Sequence, residues 1–374
     1  MKWFYTQPVD ILFETGSVKK LSAVARERGL KKGVLISDPF FKQNGLADSI
    51  VLASDGVLAA VYSEITPNPH VSEVDACAAL LKAVGADFAV SLGGGSSLDC
   101  AKAACAVAVN GGSARDYHTG GKKFTRPGLP LIAVPTTAGT GSEVTCVAVL
   151  SDPAKGVKGP VANPLLYPAL ALIDPELTLS VPKNVTASTG LDVISHAIEG
   201  FWSKGHQPVC DALALHAAKL AFDNILTAYE HGGDIAAREK MCEASVIAGL
   251  AFTLPKTAAS HACSFPLTSV YGLPHGEACA FTLDVLCGIN APAEGGRLDG
   301  FARRLGFSDA AAMGRRITEI KRATGMRCTL AEAGIRESDL PDLARRCHHP
   351  NMLNNPVELD DAMIIDMFMR TKAL

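Results

Sequence analysis

The segment DFAVSLGGGSSLDCAKAACAVAV, residues 87–109, combines a short apolar run, three consecutive glycines and a long Ala-rich pattern. This order predicts a β-strand that turns directly into an α-helix at Gly93, Gly94 and Gly95. Glycines at such a junction let the backbone approach a ligand, and the free N–H groups of the helix start attract a phosphate. The G-x-G-x-x-G fingerprint is absent, so a tight strand–helix turn without a ligand explains the same residues.

Short apolar runs recur along the first half of the chain. We predict further strands over residues 33–37, 58–65, 129–137 and 169–175, and an amphipathic helix over residues 71–85. Alternating strands and helices are typical of βαβ units, so the expected class is α/β with a largely parallel sheet. The early segment VDILFETGS is expected to add an antiparallel strand at the edge of this sheet.

The pattern changes at about Val181, where strand signals fade. Long Ala- and Leu-rich stretches follow, such as CDALALHAAKLAFDNILTAY at residues 210–229, and they predict helices. We therefore expect two domains, an α/β domain over residues 1–180 and an all-helical domain over residues 181–374. A chain of 374 residues is long enough for two ordinary cores.

Composition excludes several classes of protein. Lys and Arg number 35 against 38 Asp and Glu, so no basic excess is available to bind nucleic acid. The 11 cysteines form no C-x-x-C pair, and their number favours a reducing compartment. The first residues lack the apolar core of a signal peptide, and no apolar run reaches the roughly 18 residues of a membrane span. We expect a cytoplasmic protein without a membrane partner.

Two further features point to a polar ligand. The loop PTTAGTGSE, residues 135–143, follows a predicted strand and suits a wrapped ligand, although its hydroxyls can also simply cap the next helix. Asp38 ends the predicted strand at 33–37, where a carboxylate can bind an adenosine ribose and repel a 2′-phosphate. That repulsion, about 4 kcal/mol at 4 Å and a dielectric of 20, favours NAD over NADP. A turn-forming Asp before Pro39 explains the same residue without a cofactor.

The helical half contains a spaced set of metal-ligating residue types. Asp192 and His196 are four residues apart in STGLDVISHA, so a helix places them on one face, one turn apart. Asp192 lies in an otherwise apolar stretch, where an unpaired carboxylate would be costly. His261 and His275 follow further along the chain. Any one of these histidines is more often structural, but together they suit Fe(II) or Zn(II) with a position left for substrate.

These motifs together resemble the iron-dependent (group III) alcohol dehydrogenase family. The resemblance covers essentially the whole chain, through VDILFETGSVKKL, GGGSSLDCAK, PTTAGTGSEVT, GLDVISHAIEGFWS and YGLPHGEACA. It implies the dehydroquinate synthase-like plan, in which a dinucleotide-binding α/β domain precedes a helical metal- and substrate-binding domain, with the metal in the cleft between them. It also implies NAD(H), Fe(II) in a site that accepts Zn(II) or Mn(II) as well, and at least a homodimer.

The family's roles carry over to matching positions of this chain. The implied metal ligands are Asp192, His196, His261 and His275. The implied cofactor residues are Asp38 for NAD selection, Gly94, Gly95 and Ser96 at the pyrophosphate with Asp99 close by, Thr136, Thr137, Thr140 and Ser142 toward the nicotinamide, and Lys158 near its ribose. The implied reaction is reversible hydride transfer between NAD(H) and an alcohol or aldehyde, with the metal acting as a Lewis acid.

One position departs from the family pattern. Many members carry another histidine four residues after the third ligand, where this chain has Phe265. A histidine proton relay is therefore absent at this position, and we expect ordered water or the nicotinamide ribose hydroxyl to pass the proton. Phe265 also makes this wall of the pocket apolar.

The segment HACSFPLTSVYG is similar to the branch that reduces a short anionic aldehyde, sulfoacetaldehyde or phosphonoacetaldehyde. We expect the anionic head group to contact Asn354 and Asn355, although Asn-Asn-Pro is also an ordinary turn. His348 and His349 precede Pro350 and are expected in a surface turn, with a position near the site as the alternative. The remaining pocket residues are predicted to be Ser264, Phe265 and Thr268.

Other functions fit parts of the pattern. A general short-chain primary alcohol dehydrogenase of the same family would need no anion pocket. A dehydroquinate synthase-type lyase shares the two-domain plan, but the sequence around Asp192 and His261 lacks the basic cluster that its phosphorylated substrate needs. A non-catalytic NAD- or metal-binding sensor is the third alternative, and the complete ligand set argues against it.

Overall fold

The computed structural model describes residues 3–371. These residues divide into two compact units, an N-terminal unit of Thr6–Thr178 and a C-terminal unit that starts at Leu179 and also includes residues 3–5. This division lies next to the change of pattern at Val181. Within residues 3–371, none of the helices combines the length and apolar character that a bilayer crossing demands.

The N-terminal unit is built on a six-stranded sheet in the order β1-β8-β5-β4-β2-β3, in which every pair of neighbours is parallel. A separate antiparallel hairpin, β6 with β7, was not predicted. The strands are β1 Asp10–Phe13, β2 Gly33–Ser37, β3 Leu58–Tyr62, β4 Phe88–Gly93, β5 Leu131–Pro135, β6 Val147–Asp152, β7 Val157–Ala162 and β8 Leu170–Ile173.

Strand β1 corrects one expectation. It does lie at the edge of the sheet, but it runs parallel to β8, with Asp10 opposite Leu170 and Phe13 opposite Ile173. The prediction of an antiparallel strand was wrong because the partner strand lies far along the chain, and short-range sequence carries no signal for its direction.

Apolar residues on both faces of the sheet form two cores. Ile36 and Ala89 belong to one, together with helix residues such as Val74, while Leu35 and Val90 belong to the other. Burial on both faces explains why β2, β4 and β5 read as continuous apolar runs. The covering helices are α1 Leu21–Glu27, α2 Pro39–Gln43, α3 Leu46–Ala53, α4 Val71–Val84, α5 Gly95–Asn110 and α6 Ala114–Tyr117.

The order of the strands reverses at β2, which has β3 on one side and β4 on the other. Ligands of open α/β sheets bind outside the carboxyl ends of the strands at such a switch point. Asp38 follows β2 and the glycines follow β4, and the Asp38 backbone N–H donates to the Leu92 carbonyl over 3.1 Å. The topology thus brings two predicted cofactor segments together.

The C-terminal unit is helical, and its longest buried stretch is the second half of α7, Gly190–Trp202. One of its short 3-10 helices spans Pro350–Asn354. The α-helices are α7 Lys183–Trp202, α8 Pro208–Glu230, α9 Ile235–Phe252, α10 Ala259–Tyr271, α11 His275–Asn290, α12 Arg297–Arg304, α13 Ala310–Ala323, α14 Leu340–Arg346 and α15 Asp361–Arg370.

Candidate metal centre and cofactor-binding residues

Three helices of the C-terminal unit bring the four predicted metal ligands together. Asp192 and His196 lie on α7, His261 on α10 and His275 at the start of α11. The Asp192 Oδ1 atom is 3.8 Å from His196 Nε2 and 3.6 Å from His261 Nε2. The ring centroids of His261 and His275 are 5.6 Å apart. The predicted set therefore converges on one point, and its role as a ligand set remains a prediction.

Close packing of α11 on α7 delivers His275 to this point. A Cβ atom at Gly276 would lie 2.9 Å from the Asp192 Cβ and closer still to the Ser188 carbonyl, so only glycine fits. The Ser188 hydroxyl accepts a hydrogen bond from the Glu277 backbone N–H at 3.1 Å, which fixes the start of α11. The Pro-His-Gly order thus has a steric cause.

Two buried polar atoms at this point lack hydrogen-bond partners among the described residues. They are Asp192 Oδ1 and His261 Nε2. Buried polar atoms are nearly always paired, so an unpaired carboxylate oxygen beside an unpaired imidazole nitrogen requires an explanation. A divalent cation between them supplies one, since carboxylate and imidazole donors suit Fe(II) and Zn(II).

Cys279 is a further donor that the sequence analysis missed. Its sulfur lies with donor atoms of Asp192, His261 and His275 in one group whose members are all within 4.8 Å of one another. It is one helical turn after His275, the same spacing that singled out Asp192 and His196, so the signal was present. His196 completes the surroundings, with its ring stacked on Phe252 at 4.1 Å.

The electrostatics of the group favour an ionised carboxylate. Burial alone would raise the pKa of Asp192, but the neighbouring His196, His275 and His261 outweigh it and lower the pKa of the carboxyl. Burial likewise opposes charge on His261, yet Cys279, Glu199 and Asp192 raise the pKa of its imidazole. The carboxylate and the imidazoles thus stabilise one another's charged forms, and a cation at this point would take the place of the imidazole proton.

Glu199 orients His261 and was also missed. Its side chain is completely buried on α7, one turn after His196. Oε1 accepts the Ser260 backbone N–H at 2.7 Å, and Oε2 accepts the His261 Nδ1–H in a short hydrogen bond. This contact holds the proton on Nδ1 and directs Nε2 toward Asp192, where a cation can take the Nε2 lone pair. Carboxylate–histidine pairs of this kind hold metal-ligating imidazoles in place.

The predicted substrate residues have different surroundings. Asn354 Nδ2 donates to the carbonyl groups of Pro255 and Thr257 at 2.8 and 3.0 Å, and Asn355 exchanges hydrogen bonds with Asn290. Ser264 Oγ donates to the His261 carbonyl at 2.8 Å. These polar groups are thus occupied within the fold, whereas the buried Thr268 hydroxyl has no partner among the described residues. Phe265 stacks on His349.

The glycine turn of the N-terminal unit is in contact with the second polar loop. A Cβ atom at Gly94 would lie 3.4 Å from Thr137 Oγ1, and one at Gly95 would lie 2.9 Å from Thr140 Cγ2. The Thr136 backbone N–H donates to the Gly93 carbonyl at 3.0 Å. The two loops that were predicted separately therefore form one surface, and the free N–H groups at the start of α5 lie in it.

Asp99 and Ser142 shape this surface rather than extend into it. The Ser142 hydroxyl donates to Asp99 Oδ1 at 2.5 Å, and the Val149 backbone N–H donates to Asp99 Oδ2 at 2.8 Å. The fully buried Lys102 lies 3.5 Å from the same carboxylate. These contacts hold the PTTAGTGSE loop against α5.

Lys158 and Ser96 are connected through Asn68, which the sequence analysis did not include. Lys158 Nζ donates to Asn68 Oδ1 at 2.7 Å, and the Asn68 backbone N–H donates to Ser96 Oγ at 3.2 Å. Asn68 has a φ of 60°, a left-handed conformation that Asn tolerates better than most residues. The predicted pyrophosphate and ribose residues thus share one hydrogen-bonded bridge.

A cavity of about 400 Å³ is lined among others by Tyr62, Ile65 and Pro39, the residue that follows Asp38 in the chain. It opens at the carboxyl ends of β2 and β3, where the adenosine half of a dinucleotide fits the switch-point rule. Asp38 itself caps α2, because Oδ1 accepts the Phe40 backbone N–H at 2.9 Å. The turn-forming and the cofactor-selecting interpretations of Asp38 are therefore compatible.

An Asp38→Ser variant is expected to relax cofactor selection. Serine keeps an N-cap oxygen for α2 but removes the charge that repels a 2′-phosphate. Screening at a partly exposed position reduces the repulsion to about 1–2 kcal/mol, so the NADH-over-NADPH preference should fall roughly tenfold. The ratio of kcat/KM for the two cofactors measures this. Asp48→Ser, at an exposed residue paired with Lys42, is the control and should keep the preference.

The candidate metal centre and the candidate dinucleotide loops suit a metal-dependent dehydrogenase. The profile for iron-containing alcohol dehydrogenases matches residues 8–175, and the profile for the C-terminal part of that family matches residues 186–371. The chain belongs to the iron-containing alcohol dehydrogenase family. It is accordingly an NAD-dependent alcohol dehydrogenase or aldehyde reductase that uses a divalent metal.

Individual relatives cover between 80% and 99% of the chain. The crystal structure of sulfoacetaldehyde reductase from Bifidobacterium kashiwanohense with NAD+ is 50% identical, with a TM-score of 0.97 and 99% of both chains covered. The NAD-dependent methanol dehydrogenase of Bacillus methanolicus is 36% identical over 91% of this chain and 92% of its own. The 1-propanol dehydrogenase of Salmonella typhimurium is 37% identical over 80% of each. The predicted family, fold class and cofactors are confirmed.

Proposed function

We propose that this enzyme reduces a short anionic aldehyde, sulfoacetaldehyde in the first place, to the alcohol with NADH. The supporting observation is the 50% identity to a sulfoacetaldehyde reductase over 99% of both chains. The apolar Phe265 wall and the unpartnered Thr268 hydroxyl on α10 agree with a pocket for a small substrate with a polar head group. Phosphonoacetaldehyde has the same chain length and is the second candidate.

We assign Asp192, His196, His261 and His275 to the metal, and the unpaired Asp192 and His261 atoms support this assignment. When bound, the cation supplies Lewis acidity toward the substrate oxygen, and NADH supplies the hydride. The chain's own contribution is to hold the donors fixed. Glu199 keeps the Nδ1 proton on His261, and Gly276 lets α11 approach α7 closely enough to place His275.

Phe265 cannot relay the proton of the alcohol. A phenyl ring has no exchangeable proton, so the position four residues after His261 cannot relay one. We therefore assign the passage of the proton to water or a cofactor hydroxyl. Because alcohol oxidation releases a proton and aldehyde reduction consumes one, reduction is favoured near neutral pH.

A general short-chain primary alcohol dehydrogenase is the alternative function. Relatives named methanol dehydrogenase and 1-propanol dehydrogenase, at 36% and 37% identity, favour it. Their identity is lower than that of the sulfoacetaldehyde reductase, and for this reason we place it second. Membership of an alcohol dehydrogenase family leaves the lyase alternative without support.

A substrate comparison with the purified enzyme tests the proposal. We expect kcat/KM for sulfoacetaldehyde to exceed that for propionaldehyde by at least about tenfold, since a hydrogen bond to a charged group contributes roughly 1.5–3 kcal/mol. NADH absorbance measures both reactions, and phosphonoacetaldehyde is assayed in parallel. Equal efficiency with propionaldehyde would favour the general alcohol dehydrogenase.

A further inference from the structure

His349 does not lie in a simple surface turn, because its imidazole packs against Phe265. The two ring centroids are 4.4 Å apart at an interplanar angle of 34°. Phe265 is on α10, one helical turn after His261, and residues at this spacing share a helix face. Many members of the family have a histidine at the position of Phe265. In this chain, a segment 84 positions later places an imidazole against the phenyl ring instead.

The hydrogen bonds of His349 determine its tautomer. The Asn351 backbone N–H donates to His349 Nδ1 at 3.2 Å, so Nδ1 carries no proton and the neutral ring has its N–H at Nε2. Burial also lowers the pKa of this imidazole, which favours the neutral form. No residue in the described range accepts a hydrogen bond from Nε2. His349 thus presents a neutral donor without a partner.

The segment that carries His349 is fixed to the start of α10. Asn351 Nδ2 donates to Thr257 Oγ1 at 2.7 Å, and Asn354 Nδ2 donates to the Pro255 carbonyl at 2.8 Å. These bonds hold the 3-10 helix Pro350–Asn354 against the residues that precede Ala259. Asn351 and Asn354, of which Asn354 was predicted to bind substrate, therefore position His349.

We propose that His349 binds the anionic head group of the aldehyde substrate through its Nε2–H. This inference rests on the proposed function. Sulfoacetaldehyde carries its sulfonate on the carbon next to the aldehyde carbon, so a head-group donor must lie about one side chain away from the metal ligands. Phe265 lies one helical turn after His261, and its ring packs against His349. The buried, unpartnered hydroxyl of Thr268, three residues after Phe265, supplies a second uncharged donor on this side of α10.

Two variants of His349 separate its functions. His349→Asn keeps an oxygen that can accept the Asn351 N–H at the helix cap but removes the Nε2–H donor. His349→Gln places an amide N–H near the position of Nε2 but loses the cap. His348→Asn is the matched control, because the adjacent His348 is exposed and paired with Asp361 at 2.6 Å.

We expect His349→Asn to raise KM for sulfoacetaldehyde about ten- to a hundredfold, the range of a lost hydrogen bond to a charged group, with kcat/KM for propionaldehyde unchanged. His349→Gln should retain most of the wild-type KM, and His348→Asn all of it. Calorimetric titration with the product 2-hydroxyethanesulfonate should show the same weakening without turnover. Metal content, measured in each variant, should stay constant. A parallel KM increase for phosphonoacetaldehyde would show that the same site also binds a phosphonate head group.

Three results would overturn the inference. The first is a His349→Asn enzyme that binds 2-hydroxyethanesulfonate like the wild type. The second is an equal loss of kcat for charged and uncharged aldehydes with a shifted pH profile, which indicates proton transfer instead. The third is an equal loss on both aldehydes without such a shift, which indicates a structural role. A wild-type enzyme without preference for the charged aldehyde would instead refute the proposed function itself.

Discussion

Replacing His275 by alanine is expected to remove the bound metal and to lower kcat/KM by at least about 10³-fold. His275 supplies the imidazole of α11 to the cluster, and a lost Lewis acid forfeits several kcal/mol of transition-state stabilisation. Metal content by elemental analysis and turnover with NADH measure the two effects. NADH binding, followed by fluorescence, should persist, because every predicted cofactor residue lies in the N-terminal unit.

Two further variants make the His275 result specific. His216→Ala removes an exposed histidine of α8 that pairs with Glu243, and it should retain metal and activity. Cys279→Ser removes the sulfur of the cluster but leaves all four predicted ligands in place, so the metal should remain bound. Metal loss in Cys279→Ser but not in His196→Ala would transfer the fourth ligand position to the cysteine. Full turnover and bound metal in His275→Ala would disprove the ligand assignment.

Replacing Glu199 by glutamine is expected to weaken metal affinity about ten- to a hundredfold, the usual effect of losing a carboxylate that orients a metal-ligating histidine. An amide N–H in place of Oε2 would face the Nδ1–H of His261, so the imidazole must turn or move its proton to Nε2. Competition with a chelator of known affinity measures the loss directly. Turnover at saturating metal should recover in part.

The Glu199 prediction needs a control for general destabilisation. Asp284 is a buried carboxylate that pairs with Lys321 at 2.6 Å, nine residues after His275 on α11. Asp284→Asn should lower the thermal midpoint as Glu199→Gln does, since both leave a buried donor without its charged partner. Metal affinity should fall only in Glu199→Gln. Equal metal affinity in the two variants would contradict an orienting role for Glu199.

Spacing and residue type singled out the four residues that the structure brings together, and their role as metal ligands stays a prediction. Asp192 and His196 share a helix face in any fold that keeps α7 helical, whereas the close approach of α11 at Gly276 is seen only in the structure. Glu199 and Cys279 were missed although each lies one turn beyond a predicted ligand. Both Glu199 and Cys279 have partners on other helices, so the sequence of one helix does not reveal them. The roles of these two residues become visible only when the helices are packed together.

Contacts between residues far apart in the chain could not be predicted from the sequence. The direction of β1 depends on β8, and the hairpin of β6 and β7 contains Pro160 and Gly159, which weaken its strand pattern. Asn354 and Asn355 stood out as polar residues in a turn, but only the structure shows that their amides are bonded to Pro255 and Asn290. His349 looked like surface for the same reason, because nothing local in HHP indicates Phe265 as a neighbour.

Helix α7 carries Asp192, His196 and Glu199 within eight positions of one buried rod. Asp192, His196 and the carboxylate that orients His261 therefore move together, and a shift of α7 would displace all three. Such an arrangement resists gradual loosening. We therefore expect the cation to dissociate when the whole of this buried segment opens, not when one side chain rotates. The rate at which α7 opens would then determine how long the cation stays bound.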